Sequence, residues 1–296
     1  MRSFHTLLIV LASLSVSLRA TEIDSFTDRD PLLKDSSRAV SRIINRYFEE
    51  AISAANSAGS CDQSVLDSAL NTNFRGFLWS PIEKAIDSDS SIDKRHSLVR
   101  DSIYQDFNAI ESPTFVIAEI AAVIRLGKHY VGVDKLAHFL QLGYDMYKRH
   151  YLRGKKLKDV IAWSSWTEQT YYGLLTTGVY SYGDLAANYD GLLFWEQITN
   201  TRLAPGVEPY FACHNNVWWL NKSFDISEYV TAAWDEGINC NRYRTSAMEK
   251  KVLARVAVLE SKTGRSLQCP IKPELCSEMI AHYGEVAPHI ITPLCF

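Results

Sequence analysis

Three short stretches of the chain carry ionisable and amide side chains of types and spacings that can do chemistry. They are Asp134-Lys135-Leu136-Ala137-His138-Phe139, then Glu168-Gln169, then Ser181 to Gly191 with Ser181, Asp184 and Asn188. Asp134 and His138 lie four residues apart, as do Asp184 and Asn188, so on helices each pair shares a face and can aim at one point. One histidine with Glu168 and Asp184 would supply three ligands to a divalent metal and leave a position open for water. Without a metal, Glu168 can serve as a general acid of raised pKa with His138 as its partner, or Glu168 and Asp184 as a glycosidase carboxylate pair. The expected catalytic residues are therefore Glu168, His138 and Asp184. Asp134, Lys135, Gln169, Ser181 and Asn188 are expected to bind or orient.

Each of these residues also has a reading without catalysis. Asp134 sits where a helix N-cap belongs, and Asp184 can simply complement a helix dipole. Glu168 can be half of a buried ion pair with Lys135 or an arginine. Together the set can be a hydrogen-bond network that fixes the register of helices. A cleft reaching Glu168 favours the enzyme, and a sealed, satisfied site favours the scaffold.

The elements that position these residues read as helices. Val40, Ile43, Ile44, Tyr47, Phe48, Ala51, Ile52 and Ala55 recur at three-and-four spacing until Gly59, which predicts an amphipathic helix with a glycine stop. Shorter helices are expected around 65–70, after Pro81 and over 98–107. The run 115–126 is almost continuously apolar, interrupted by Glu119, and predicts a buried helix closed by Gly127 and Gly132. Helices are expected next over 134–151 and 157–176, and then from Ser181, with Asp184 in a capping-box-like position, through Trp195. Beyond Pro205 the chain turns irregular at 209–220, with helices near 224–234, 242–261 and 273–283. The expected class is all-α: a multi-helix bundle core over 21–205, and an aromatic, cysteine-rich cap over 206–296 packed on the same core.

Composition narrows the function classes. A net charge of -3 with 22% charged residues leaves no basic footprint for nucleic acid. Arg2 followed by an apolar run from Leu7 to Leu18 predicts a signal peptide over 1–20, cleaved after Ser17 or Ala20. No later segment is long and apolar enough to span a bilayer. Export to a periplasmic or extracellular space makes the six cysteines candidates for three disulfides, and their pairing stays open among fifteen possibilities.

Taken in order, Asp134-Lys135, His138-Phe139, Glu168-Gln169, Ser181, Asp184, Ala187-Asn188 and Gly191 resemble the VanZ-like family and related small periplasmic lipoproteins of bacterial envelopes. The resemblance implies a cell-envelope setting and, through the family's named member, a link to glycopeptide-antibiotic resistance. It implies no biochemical activity. VanZ proteins are integral to the membrane, and this chain departs from them there. The function expected is an exported cell-envelope protein, a hydrolase of an envelope lipid or glycan with a divalent metal as candidate cofactor, or alternatively a non-catalytic binding or structural protein.

Overall fold

Val40, Ile43, Ile44, Phe48, Ala51 and Ala55 all turn inward along α1 (Ser37–Ser57), as their spacing predicts. The helix stops at Gly59, whose φ of +63 suits a residue without a Cβ. In the computed structural model, which describes residues 22–29, 32–75, 80–198 and 207–296, α1 packs with α2 (Gln63–Phe74) and α3 (Pro81–Ser88). The expected signal peptide and the 205/206 boundary lie outside the described residues.

The helix expected over 115–126 is replaced by a β-hairpin. After a single 3-10 turn at Thr114–Val116, β2 (Val123–Leu126) pairs antiparallel with β3 (His129–Gly132), Val123 opposite Gly132 and Leu126 opposite His129. Gly127, at φ +59, makes the turn, and β1 (Lys94–Arg95) adds a short edge strand. The hairpin is covered on both sides: Ile124, Leu126 and Val131 enter the main core, while Val123 packs with Ile23 and Leu33. A strand buried on both faces is continuously apolar, which is the pattern that reads as a buried helix. The helix expected over 98–107 is likewise only a 3-10 turn at Val99–Asp101 followed by turns.

The helix expected from Asp134 forms as α4 (134–152), although α-helical turns alternate with wider π turns at His138–Leu142 and Lys148–Leu152. Trp195 Nε1 donates to the Leu140 carbonyl at 2.8 Å within the first widened turn. Next come α5 (Leu157–Gln169), β4 (Val179–Tyr180) and α6 (Tyr182–Gln197). Helix α5 stops earlier than expected, because the chain turns sharply at Thr170 (φ -121, ψ -92). Helices α4 and α6 cross in near contact at two glycines: a Cβ on Gly143 would lie 2.6 Å from the Gly191 backbone, and one on Gly191 would lie 2.0 Å from the Phe139 carbonyl oxygen.

The segment read as irregular contains a second hairpin, β5 (Phe211–His214) with β6 (Val217–Leu220). Asn215 and Asn216, both left-handed, form its turn, the backbone that a two-residue hairpin loop favours. The helix expected over 224–234 is instead two 3-10 turns, at Ile226–Glu228 and Ala232–Trp234. Arg242–Tyr243 is a strand, β7, paired with β4, so the following helix α7 starts at Ser246 and ends at Thr263. Helix α8 (Cys276–Tyr283) and a short helix at Ala287–Ile290 follow.

The all-α expectation is thus corrected: the protein is mostly helical, with small antiparallel sheets among the described residues. One aromatic core joins Phe48, Phe139 and Phe194 to Phe211, Phe224 and Trp234 from beyond residue 206. Disulfides Cys61–Cys213, Cys240–Cys269 and Cys276–Cys295 tie the chain together, the first across 152 residues. They are consistent with an exported protein. No described helix is long and apolar enough to cross a membrane.

Candidate functional site

Lys135 organises the polar centre. Its side chain is wholly buried, and its Nζ lies 3.0 Å from Asp134 Oδ2 and 2.6 Å from Asp184 Oδ1 and also donates to Glu236 Oε1. The Asp184 contact is a close ion pair without hydrogen-bond alignment. Room for the lysine comes from Gly183 in α6, where a Cβ would lie 3.0 Å from Lys135 Cε. Asp134 does not cap α4. It accepts from the Lys135 backbone N–H at 2.9 Å and from Nζ.

His138, one turn further along α4, bridges to α6. Its Nε2 lies 3.1 Å from Asp184 Oδ2, and its Nδ1 lies 3.1 Å from Asn188 Oδ1. Asn188 in turn donates to Ser164 Oγ of α5 at 3.1 Å. Both ring nitrogens therefore face side-chain oxygens, and a neutral imidazole donates to one of the two. Burial pushes the His138 pKa below its ordinary value, against the opposing pull of the Asp184 carboxylate.

Ser181 joins the remaining parts. Its hydroxyl donates to Glu236 Oε1 at 2.7 Å and accepts from the Asp184 N–H at 3.1 Å, which is the capping role expected of it. Its backbone N–H donates to Glu168 Oε1 at 3.1 Å. Gly173 closes over Glu168, since a Cβ there would lie 2.5 Å from Oε1. The other oxygen, Glu168 Oε2, is buried with no hydrogen-bond partner.

Two acids missed in the sequence complete the centre. Glu236 accepts from Lys135, from Ser181 and, at 2.7 Å, from Asn241 Nδ2. Its signal was legible: an acidic pair directly after Ala232-Ala233-Trp234, a segment too apolar for solvated carboxylates. Glu22 accepts from Thr177 Oγ1 at 2.6 Å and leaves Oε2 unpartnered. Nothing near it in sequence marks it. Gln169, in contrast, does not belong to the centre: it is exposed and its amide reaches only Ser165 Oγ at 3.3 Å. A residue adjacent to Glu168 on a helix points about 100° away from it.

The centre thus holds five buried carboxyl groups, Glu22, Asp134, Glu168, Asp184 and Glu236, around one lysine and one histidine. Five negative charges cannot persist there against a single ammonium. Burial raises the pKa of Glu168 and Glu22 well above the carboxylate range, with nearby acids adding to it. Asp134 and Glu236 are also raised by burial, with Lys135 opposing. Asp184 goes the other way: burial raises it, but His138 and Lys135 outweigh that and hold it below its usual value. Lys135 stays charged, since the carboxylates overcome its own desolvation.

The donor set bears directly on a metal. Asp134, His138 and Asp184 bring ligand atoms within 4.8 Å of one another, and Glu168, expected as a ligand, is not in that group. The ammonium of Lys135 lies against two of the three, where it supplies the positive charge that a cation would otherwise bring. The residues therefore fit a metal poorly. Searches of family models, curated proteins and solved structures found no match to this chain.

Proposed function

We propose that this is an exported, disulfide-bonded protein of the cell envelope that acts by binding, and that its polar centre is a structural node rather than a catalytic one. The observation that supports this most is the saturation of Lys135 and His138. The ammonium lies within ion-pair distance of three carboxylates, and each imidazole nitrogen lies 3.1 Å from a side-chain oxygen, so neither group has an open side. A base or nucleophile with no free atom has nothing to offer a substrate. The centre instead ties α4, α5, α6, the N-terminal segment and the turn after Trp234 into one arrangement. The envelope setting draws its support from the resemblance to VanZ-like proteins, the disulfides and the N-terminal apolar run.

A metal-free hydrolase is the second reading, supported by Glu168 Oε2 and Glu22 Oε2. Both are buried without partners, and Glu168 and Asp184 are pushed in opposite directions, as an acid and a fixed anion would be. Thermal unfolding of the oxidised protein and of His138→Gln, each with chelator and with zinc, manganese or magnesium, separates the readings. The node predicts that metals leave both melting temperatures unchanged and that His138→Gln melts lower by about 4 °C, for about 2 kcal/mol lost. A variant that melts higher than the parent, or metal stabilisation of the parent alone, refutes it.

A further inference from the structure

A few residues after Glu22, Phe26–Arg29 form one wall of a cavity of about 330 Å³, with Asp101 and Gln105 beside them and α7 opposite. That volume lies in the range of small-molecule sites. Its apolar lining is Phe26, Leu259 and Leu267. Two polar atoms of lining residues are buried with no hydrogen-bond partner: Nε of Arg255, on α7, and the hydroxyl of Thr27. Lys262, one helical turn after Val258 on the same helix, also lines the cavity. Neither Arg255 nor Lys262 has an ion-pair partner among the described residues.

The walls are fixed before any ligand arrives. Asp24 Oδ1 accepts from the N–H groups of Phe26 and Thr27 at 2.9 and 3.0 Å, and its Oδ2 accepts from Ile103 N–H at 3.0 Å. Arg95 donates to the carbonyls of Asp24 and Asp28 at 2.8 and 3.0 Å. Asp28 is left-handed at φ +50, which turns the chain at the rim. On the far side, Leu267 N–H is held by Glu260 Oε1 at 2.7 Å, and the Cys240–Cys269 disulfide anchors the strand of chain that follows. A preformed site loses less entropy on binding than one that must close.

We propose that this cavity binds an aliphatic monocarboxylate, its carboxylate held by the Arg255 guanidinium with Lys262 beside it and its tail laid on Phe26, Leu259 and Leu267. An unpaired guanidinium beside apolar wall selects an anion with an apolar body. Asp28 and Asp101, exposed at the lining, repel a second negative charge and so disfavour phosphate dianions. The site is separate from the Lys135 centre, and the proposal stands whichever reading of that centre holds.

Calorimetric titration of the oxidised full chain tests it, with octanoate, octanol and inorganic phosphate as probes and with Arg255→Gln and Lys262→Gln as variants. Thermal unfolding of each variant first establishes that it folds like the parent. The expected result is saturable octanoate binding that weakens about tenfold or more in Arg255→Gln, less in the solvent-exposed Lys262→Gln, with octanol weaker and phosphate not bound. Absence of octanoate binding at millimolar concentration, equal binding of octanoate by folded Arg255→Gln, or preference for phosphate overturns the proposal. If Arg255→Gln does not fold, the ranking of octanoate over octanol and phosphate, together with Lys262→Gln, decides alone.

Discussion

Asp235 and Glu236 are neighbours in the chain, equally buried, and anchor opposite kinds of polar centre. Asp235 meets one arginine, with Arg29 Nη1 and Nη2 at 3.0 and 2.7 Å on its two oxygens, and the backbone N–H groups of Tyr130 and Gly237 at 3.1 and 3.0 Å complete it. One negative charge faces one positive charge in the bidentate geometry that suits guanidinium and carboxylate. Glu236 instead joins four other acids around one lysine. The balanced centre can keep its charges, whereas the crowded one must keep protons. The difference teaches that burial alone does not mark a site; the ratio of acids to bases does.

Removing the base from each centre should separate them most widely. Lys135→Met leaves Asp184 and Glu236 without their cation, and a buried pair broken in this way costs about 3–5 kcal/mol. Acid should restore part of the loss, because the stranded carboxylates can take up protons. Arg29→Met should cost a similar amount but recover less in acid, since Asp235 retains two backbone donors. Urea unfolding of both variants at pH 5 and pH 8 measures this. Equal acid recovery in the two variants would remove the distinction between the centres.

Trp234, one residue earlier, anchors a third centre, so three consecutive residues reach three polar groups. Its Nε1 and the Tyr283 hydroxyl donate to Asp190 Oδ2 at 2.7 and 2.8 Å. Burial pushes Asp190 up to about 7, with both donors opposing. A carboxyl whose folded pKa lies above its unfolded value stabilises fully below about pH 4, and that contribution is lost as pH rises to about 7. A shift of about three units corresponds to roughly 4 kcal/mol. Glu22, Asp134, Glu168 and Glu236, all raised, act with the same sign, while His138, lowered, opposes below its ordinary pKa. The difference between parent and Asp190→Asn isolates one group. The variant's stability should fall less between pH 4 and pH 7, and parallel curves would place the proton elsewhere.

How much of this was legible follows from which interactions are local. Helix α1 declares itself through six inward residues at helical spacing, and the Ser181 cap through its offset to Asp184, because both patterns lie within a few turns of chain. Seven of the flagged polar residues, Asp134, Lys135, His138, Glu168, Ser181, Asp184 and Asn188, meet in one network. Polar side chains in apolar helices must find partners, so their company in space was readable although their geometry was not. The 123–132 hairpin was unreadable for the converse reason: burial on both faces erases the alternation that marks a strand. Glu22 joins the centre through Thr177, a contact over 155 residues with no local trace. Of the two adjacent tryptophans in the second hairpin, Trp218 is buried, with Nε1 donating to the Ser60 carbonyl at 2.8 Å, and Trp219 is exposed.

The smallest expected effect is also the sharpest test of the crowded centre. If Glu168 carries a proton at neutral pH, its replacement by glutamine exchanges one neutral group for another of nearly the same shape. The amide oxygen can still accept from Ser181 N–H, as Oε1 does at 3.1 Å, and the NH₂ takes the place of an oxygen that had no partner. Glu168→Gln should therefore shift stability by no more than about 1 kcal/mol, or roughly 2 °C in melting temperature for a chain of this size. A fall of many degrees would mean that Glu168 is ionised and paired, so that the centre holds a different distribution of protons. A rise of similar size would mean that the carboxyl is kept there at a cost to stability, as a functional site predicts, and would favour the hydrolase over the node. The same substitution at Asp184, whose carboxylate is held anionic by His138 and Lys135, should not be neutral, and that asymmetry between two acids of one cluster is what the charge ratio predicts.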